Sequence, residues 1–426
     1  MSTFQIPYGD RLLPFQVPDS FSAEILQPGQ IDPAENPLEE IRRALHSPIG
    51  MPRLAESARG AKKVVLLADD LTRSTPVHWL IPALLDELNM AGISDRQILV
   101  LVALGTHRPM TPVEIEARFT TEVTRRVKVL NNPWQDPAQM VDLACTPNGT
   151  PIEVSRIALE ADYIIGLGSI VPHHIPGFAG GAKIVQPGIS GAITTGATHL
   201  FSTRTRRSYL GELENPIRAE MEWIAEQVGL KAILNTVLDS KSALVSAFFG
   251  EPRQAFRQGV KLARKVWGSP ISGLVDIAIA SSHPCDIEFW QAHKTLYPAD
   301  KILHSGGTLL LVTPCPEGIS RTHAQVLEYA GLSSQEILHQ IDTNIIKDVA
   351  AGALALAWAK VRERVKVVLV SDGISAKEAH RLGFSHQSTD NFQDAIEENL
   401  KLYGPGARLA ILPFAPDTLP LLPGEE

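Results

Sequence analysis

Several stretches of the chain are continuously apolar, and most of them run directly into a polar loop. They lack the polar–apolar alternation of a half-exposed strand, and such runs are typical of parallel strands covered on both faces. Helix-like segments separate them, so the pattern predicts an α/β chain with mainly parallel sheets. The predicted strands occupy residues 62–68, 97–104, 127–130, 163–167, 275–281, 307–313, 365–371 and 408–412. The predicted helices include residues 79–90, 112–118 and 252–267.

Local signals add two hairpins and a helix start. Residues 4–17 alternate around a Tyr-Gly-Asp turn, and residues 231–238 and 244–249 flank an Asp-Ser-Lys turn, so both pairs are predicted as hairpins. Asn36 followed by Pro37 predicts the beginning of a helix, because asparagine caps well and proline fits the first helical position.

The length of 426 residues exceeds what one hydrophobic core usually supports. We therefore predict two α/β domains, 1–268 and 269–412, with Gly-Ser-Pro at 268–270 as the linker. A proline-rich tail, 413–426, follows and could pack back on the first domain.

Three successive strands in the first part end in loops with reactive side chains. Asp70 and Arg73 follow one strand, His107 the next, and His173 and Lys183 the third. In an open α/β sheet ligands bind outside the carboxyl ends of the strands. We therefore expect these loops to converge on one crevice, although a lone histidine is more often structural.

The third loop is the richest in candidate chemistry. His173 and His174 are followed by three glycines and then by Lys183, which has apolar neighbours, while His199 ends a second Gly/Thr/Ser-rich segment. Glycine lets the backbone approach a ligand closely, so a Gly-Gly-Ala-Lys step suits an anionic group. The alternative is a tight turn with a solvated lysine.

Composition narrows the functional classes. The chain is 44% hydrophobic and 20% charged, as in globular proteins, and its net charge of −8 argues against a nucleic-acid surface. Three cysteines without metal-ligand spacing fit a reducing compartment. We find neither a signal-peptide pattern nor an apolar run of the ~20 residues that cross a membrane, so the prediction is a cytoplasmic protein without nucleic-acid or membrane partners.

Five motifs carry a resemblance: DDLTRSTP, GTHRPMT and PHHIPGFAGGAKIVQPG in the first part, and CDIEFWQAHKTLYPADK (285–301) and TPCPEG (313–318) in the second. Together they resemble the nickel-dependent lactate racemase family, whose members are nickel-pincer-nucleotide 2-hydroxyacid racemases and epimerases. The similarity extends over nearly the whole chain.

The resemblance implies an active site in the cleft between the two domains and a tethered cofactor. That cofactor is a nickel pincer nucleotide, pyridinium-3-thioamide-5-thiocarboxylic acid mononucleotide, bound covalently to Lys183. The resemblance makes His199 the protein ligand of the nickel, and soft sulfur donors with imidazole in a planar site suit Ni(II). It also implies separate proteins that synthesise the cofactor and insert the nickel. The cofactor-binding residues so implied are Lys183, Asp70, Leu71, Thr72 and Arg73.

The resemblance further implies that His107 and His173 act as alternating acid and base. In that mechanism C2 of a 2-hydroxy acid passes a hydride to the pyridinium ring, and the hydride returns to the opposite face. The family spacing selects His173 over His174, and we expect these adjacent side chains to point in different directions. Imidazole suits both roles because its pKa is near 7.

The resemblance makes Arg73, Gln291 and Lys294 the substrate-binding residues. A guanidinium fork suits a carboxylate, and the spacing of Gln291 and Lys294 puts both on one helical face. The alternatives are a surface pair between Arg73 and Asp70 and a solvated helix face.

Two other functions stay open at this point. One is a nicotinamide-dependent 2-hydroxyacid dehydrogenase, although no strand is followed by G-x-G-x-x-G. The other is a non-catalytic protein that binds nickel or a small molecule. The sequence does not select among lactate, malate, a longer acid and a sugar acid as the substrate.

Overall fold

The structure is a computed structural model that describes residues 1–29 and 31–425. Its strands, in chain order, are β1 (Ser2–Tyr8), β2 (Arg11–Val17), β3 (Ser22–Ile25), β4 (Val64–Asp69), β5 (Ile98–Ala103), β6 (Lys128–Asn131), β7 (Met140–Cys145), β8 (Pro151–Ser155), β9 (Tyr163–Ser169), β10 (Pro172–His173), β11 (Gly177–Phe178), β12 (Leu230–Leu238), β13 (Leu244–Gly250), β14 (Gly268–Pro270), β15 (Val275–Ser281), β16 (Leu303–Val312), β17 (Lys366–Val370), β18 (Ser385–Gln387), β19 (Arg408–Leu412) and β20 (Leu419–Leu421). Its helices are α1 (Pro37–His46), α2 (Leu54–Ser57), α3 (Val77–Met90), α4 (Pro112–Arg126), α5 (Arg156–Leu159), α6 (Ala192–Thr205), α7 (Pro216–Val228), α8 (Pro252–Trp267), α9 (Phe289–Ala292), α10 (Leu296–Ile302), α11 (Ser334–Asp342), α12 (Val349–Arg362), α13 (Ala376–Arg381) and α14 (Phe392–Tyr403).

The first six-stranded sheet has the order β13-β12-β9-β4-β5-β6. Its strands are parallel except for β13, which pairs antiparallel with β12 as the predicted hairpin. Every residue of β4 is buried, because hydrophobic clusters cover both faces of the sheet. This confirms the prediction that unalternating apolar runs form a parallel sheet covered on both sides.

The second six-stranded sheet has the order β18-β17-β16-β15-β19-β3, and all its pairs are parallel. The alanine-rich helix α12 is buried along nearly its whole length on one side of this sheet. The predicted hairpin β1–β2 covers the other side, where Ile6 and Phe15 pack in one cluster with Ile279 and Val370.

The chain crosses between the two sheets more than once. Strand β3 pairs with β19, so the first residues of the chain associate with the second sheet, although we assigned them to a domain 1–268. The predicted linker at Gly268–Pro270 is instead a strand, because it pairs with β20 of the tail. Leu419 of that tail is buried among side chains beside the first sheet. The domain boundary itself stays a prediction, and Glu426, the end of the predicted tail, lies outside the described residues.

Three further features bear on the predictions. The helix predicted at 112–118 continues to Arg126 through a kink at Thr120. In the described ranges each helix is too short or too polar to cross a lipid bilayer. Cys145, Cys285 and Cys315 are free thiols.

Candidate active site

One cavity collects the candidate residues from loops that are far apart in sequence. It lies where the loops after β4, β5 and β9 meet the segment around α9 from the second half of the chain. The predicted site residues that line it are Asp70, Thr72, Arg73, His107, His173, Lys183, His199, Gln291 and Lys294. Leu71 is the exception, since its side chain packs against the core of the first sheet.

The loop after β4 is fixed by an arginine from α4. The guanidinium of Arg118 donates to Asp69 Oδ1 at 2.5 Å and to the carbonyl oxygen of Arg73 at 2.9 Å. Within the loop, the hydroxyl of Thr72 donates to Asp70 Oδ1 at 2.5 Å. The side chains of this loop are therefore held in place before any ligand binds.

His107 is held from three directions. Its Nδ1 lies 2.6 Å from Asp70 Oδ2, and its Nε2 lies 2.8 Å from Nε2 of Gln291. The indole N–H of Trp134 donates to its carbonyl oxygen at 2.9 Å. Asp70 is acceptor-only when ionised, so Nδ1 carries the proton and Nε2 faces the cavity as a lone pair.

Asp70 is ionised in this setting. Burial by itself would raise the pKa of Asp70, but the adjacent His107 and Arg73 hold it below its ordinary value. The Arg73 side chain donates to Thr72 and to Gln291, and not to Asp70. The alternative of an exposed Arg73–Asp70 surface pair is therefore wrong, because Asp70 is buried and bonded to His107.

A cationic cluster faces these residues. Arg73 and Lys294 both donate to Oε1 of Gln291, at 3.1 Å and 2.5 Å. Burial, reinforced by the nearby charge of Arg73, lowers the pKa of Lys294 to about 8, so its ammonium is still charged at pH 7. Gln291 thus joins two cations to His107, and the cluster offers a carboxylate two cationic donors.

His173 lies at the end of the short strand β10, which pairs with β11. The backbone N–H of Ile175 donates to its Nδ1 at 3.1 Å, so Nε2 carries the proton of the neutral ring. Burial lowers the pKa of His173 well below its ordinary value, and the nearby Lys183 lowers it further. The ring is neutral at pH 7 with a proton to give, whereas His107 has a lone pair to accept one.

His174 departs from our expectation that adjacent side chains diverge. The rings of His173 and His174 stack, with centroids 4.7 Å apart, and His174 also stacks on Tyr297 at 3.8 Å. Both histidines line the cavity, because His173 ends β10 and His174 begins the turn that leads to β11. Nε2 of His174 is buried without a hydrogen-bond partner among the described residues.

Lys183 lies in a single helical turn, Gly181–Ile184, that follows Gly180. Gly180 has a φ of +86°, and the backbone N–H of Gly181 donates to Oδ1 of Asn235 at 2.7 Å. Burial lowers the pKa of Lys183 well below its ordinary value, and the charges of Arg73 and Lys294 lower it further. Lys183 is only partly exposed and lines the cavity, so the alternative of a lysine solvated at the surface is wrong. An amine whose neutral form is favoured is a better nucleophile.

His199 is presented by helix α6. Its Nδ1 lies 2.7 Å from the carbonyl oxygen of Thr195, to which it donates. This hydrogen bond fixes the tautomer and the ring orientation, so Nε2 carries a free lone pair. Burial lowers the pKa of His199 to about 4, which keeps the ring neutral. A neutral imidazole held in this way is the usual form of a metal-binding histidine.

These residues fit a cofactor that brings its own metal donors. In the part of the chain that the structure describes, no three His, Cys, Asp or Glu side chains are grouped to hold a metal. A metal on His199 would therefore take its remaining donors from a bound organic group. The amine of Lys183 and the Nε2 lone pair of His199, in the same cavity, supply an attachment point and a ligand for such a group.

Sequence reasoning missed several residues that shape the cavity. Arg118 and Trp134 carry no local signal, because their partners lie on other elements. Asp417 also lines the cavity, and burial raises its pKa to about 6 against the opposing effect of Lys294 and Arg73. A single acidic residue within the apolar, proline-rich segment 413–422 was a usable signal for it.

Comparison with known proteins identifies the family of the chain. The family model "Lactate racemase N-terminal domain" matches residues 8–211. A lactate racemase from Thermoanaerobacterium thermosaccharolyticum is 31% identical over 324 residues, which is 75% of this chain and 76% of that protein. A lactate racemase from Lactiplantibacillus plantarum is 28% identical over 428 residues, covering 97% of this chain and 98% of that protein.

Solved structures extend the likeness to the fold. The lactate racemase apoprotein from T. thermosaccharolyticum superposes with a TM-score of 0.86 at 25% identity, covering 98% of this chain and 100% of that one. A crystal structure of a Thermotoga maritima protein gives 0.74 at 21% identity, covering 90% and 98%, and supports the fold alone. The fold and the relatives define an α/β enzyme of the isomerase class. The chain belongs to the lactate racemase family.

Proposed function

We propose that this chain interconverts the enantiomers of a short, lactate-like 2-hydroxy acid in the cavity described above. The observation that carries the proposal is that Lys183, His199, His107 and His173 all line this one cavity. The named relatives are lactate racemases, which supports the same reaction class here.

Lys183 and His199 would hold the nickel pincer nucleotide, the first by a covalent bond to its amine and the second through Nε2. Asp70, Thr72 and Arg73 lie in the same wall, and the backbone of Leu71 joins them. When bound, this cofactor would supply a reversible hydride acceptor. The chemistry of electron transfer belongs to the cofactor, and the protein supplies orientation and charge.

The protein's own residues account for binding and proton transfer. Arg73 and Lys294 bind the substrate carboxylate, with Gln291 between them as a shared hydrogen-bond partner. His107 takes the hydroxyl proton at Nε2, where a substrate hydroxyl would replace the amide of Gln291. The carboxylate of Asp70 stabilises the imidazolium that this transfer creates.

His173 performs the complementary transfer. In its neutral form His173 carries a proton on Nε2. It can give this proton to the oxygen of a substrate that faces it. The two histidines then exchange roles for the opposite enantiomer, because each imidazole can both give and take a proton.

The remaining proposals concern the setting of the enzyme. We place the division between the two domains at 268/269, with the active site between them. The partners are a small 2-hydroxy acid and separate proteins that make the cofactor and insert nickel, with no nucleic acid and no membrane. The expected location is the cytoplasm.

The experiment is to co-express the chain with cofactor-making proteins and incubate it with single enantiomers of 2-hydroxy acids in deuterated buffer. We expect inversion without deuterium at C2, an added mass on Lys183 and one nickel per chain. Lys183→Ala should show neither the adduct nor the nickel. Inversion with extensive deuterium uptake at C2 would contradict the proposal, since it indicates removal of a carbon-bound proton.

A further inference from the structure

A second carboxylate–imidazole pair, with a buried imidazole, lies beside the first and outside the machinery just described. Nδ1 of His323 lies 2.5 Å from Asp348 Oδ2, and its Nε2 lies 3.0 Å from the hydroxyl oxygen of Thr106. His323 and Thr106 are both buried. Because Asp348 accepts the proton of Nδ1, Nε2 is the acceptor and the hydroxyl of Thr106 donates to it.

This pair connects the two halves of the chain at the catalytic imidazole. Thr106 directly precedes His107 in the loop after β5, whereas His323 comes from the second half. The ring of His323 also stacks on Trp290, with centroids 4.0 Å apart and planes 12° from parallel. Trp290 directly precedes Gln291, the residue that contacts Nε2 of His107.

Contacts therefore close a ring around the proposed base. His323 contacts both Thr106 and Trp290. The residues that directly follow these two in sequence, His107 and Gln291, contact each other at 2.8 Å. The imidazole of His323 thus fixes the distance between two loops. The side chains of His107 and Gln291 must meet across that distance. A misplacement of about 1 Å at such a position is enough to lower a rate by orders of magnitude.

Asp348 extends the connection to the helix that carries His199. Its Oδ1 accepts from the backbone N–H of Ala351 at 3.0 Å, which caps α12. Helix α12 packs closely on α6, where a side chain at Gly196 would come within 3.0 Å of the backbone nitrogen of Ala350. The Asp348 carboxylate, which orients His323, therefore also caps the helix that packs against α6, the helix that carries His199.

We infer that His323, oriented by Asp348, is a positioning residue that sets the place of His107 and Gln291 across the two halves of the cavity. The inference rests on the proposed function, in which His107 transfers the proton. It assigns no chemical step to His323, whose ring is shielded from the cavity by Thr106 and Trp290.

The test uses the cofactor-loaded full chain and a set of matched variants. Thr106→Val removes the hydroxyl and keeps the shape, Thr106→Ser keeps the hydroxyl, and His323→Asn keeps the donor to Asp348 and loses the acceptor for Thr106. Gln325→Ala is the control, since Gln325 donates to the same Asp348 oxygen at 2.8 Å but does not touch His323.

We expect Thr106→Val and His323→Asn each to lower kcat about tenfold, with KM within about twofold of wild type. The double variant should have a kcat no lower than that of His323→Asn alone, because His323→Asn already breaks the hydrogen bond that Thr106→Val removes. Thr106→Ser and Gln325→Ala should keep near wild-type kcat, with nickel content unchanged in every variant. Wild-type kcat in Thr106→Val, or independent losses that multiply in the double variant, would overturn the inference.

A second readout does not depend on racemisation. Amide hydrogen exchange of the loop-forming segments 103–110 and 289–294 should speed up in Thr106→Val and His323→Asn, but not in Thr106→Ser or Gln325→Ala. Unchanged exchange in both segments would overturn the inference even in an active enzyme. If the wild type inverts no 2-hydroxy acid while this exchange pattern holds, the proposed function fails and the positional role of His323 stands.

Discussion

The carboxylate of Asp70 and the imidazole of His107 lie 2.6 Å apart although 37 residues separate them in sequence. They follow β4 and β5, which are parallel neighbours in register from Val64 opposite Ile98 to Asp69 opposite Ala103. Because both strands end at the same edge, the two loops meet directly. The carboxylate of Asp70 fixes one tautomer of His107. It also places a permanent negative charge next to the imidazolium that forms when His107 takes a proton.

That pair predicts a large effect for Asp70→Asn. The amide keeps the shape but removes the charge that stabilises the imidazolium and selects the tautomer, so we expect kcat to fall at least about a hundredfold. Steady-state rates for both enantiomers measure the effect, with intact mass to verify the adduct on Lys183. A variant with full adduct and wild-type kcat would show that the carboxylate is not needed for proton transfer at His107.

The two proposed proton-transfer groups should be separable from the metal site. His107→Ala and His173→Ala should each abolish racemisation while nickel stays near one per chain, because His199 and Lys183 are untouched. The matched control is His174→Phe, which keeps the stack on Tyr297 and should retain most of the activity. Metal analysis decides the matter, since loss of nickel in both alanine variants would make these histidines structural.

Lys294 predicts an alkaline limit on substrate binding. Burial lowers its pKa to about 8 from an ordinary value near 10.5, so its positive charge is lost as the pH rises through 8. We expect KM for a 2-hydroxy acid to rise between pH 7 and pH 9, and this rise to be absent in Lys294→Arg, whose guanidinium stays charged. The idea fails if the two proteins show the same rise.

Asp417 predicts the opposite dependence on the acid side. Burial raises its pKa to about 6, so it is mostly neutral below pH 6 and negative above it. A negative charge in this cavity opposes an anionic substrate, so KM should be about threefold lower at pH 5.5 than at pH 7.5. Asp417→Asn should show the lower KM at both pH values. An unchanged KM at pH 7.5 in this variant would mean that Asp417 lies too far from the bound carboxylate to affect it.

The sequence predicted the strands near this edge and the convergence of their loops, since uninterrupted apolar runs report burial on both faces. It did not predict α6, whose sequence AITTGATHLFSTRT is rich in threonine and glycine and poor in helix propensity. That helix is stabilised by packing on α12, a long-range contact that leaves no local pattern. The same limit applies to β3, whose four residues acquire their place only by pairing with β19.

Gly177 begins β11 and pairs with His173 of β10. We expect its replacement by alanine to lower stability more than the same change at Gly229, a glycine with a similar backbone conformation. The φ of Gly177 is +79°, and a Cβ there would lie 1.8 Å from the carbonyl oxygen of Glu212, so Gly177→Ala combines backbone strain with a backbone clash. Gly229 has a similar φ of +87° but open space around it, so Gly229→Ala adds the strain alone, about 1 kcal/mol. Urea unfolding should show a clearly larger loss for Gly177→Ala, together with lower activity, because the bend positions His173. Equal losses for the two variants would mean that the segment around Glu212 moves aside, and the β10–β11 bend would then be too adaptable to fix the imidazole.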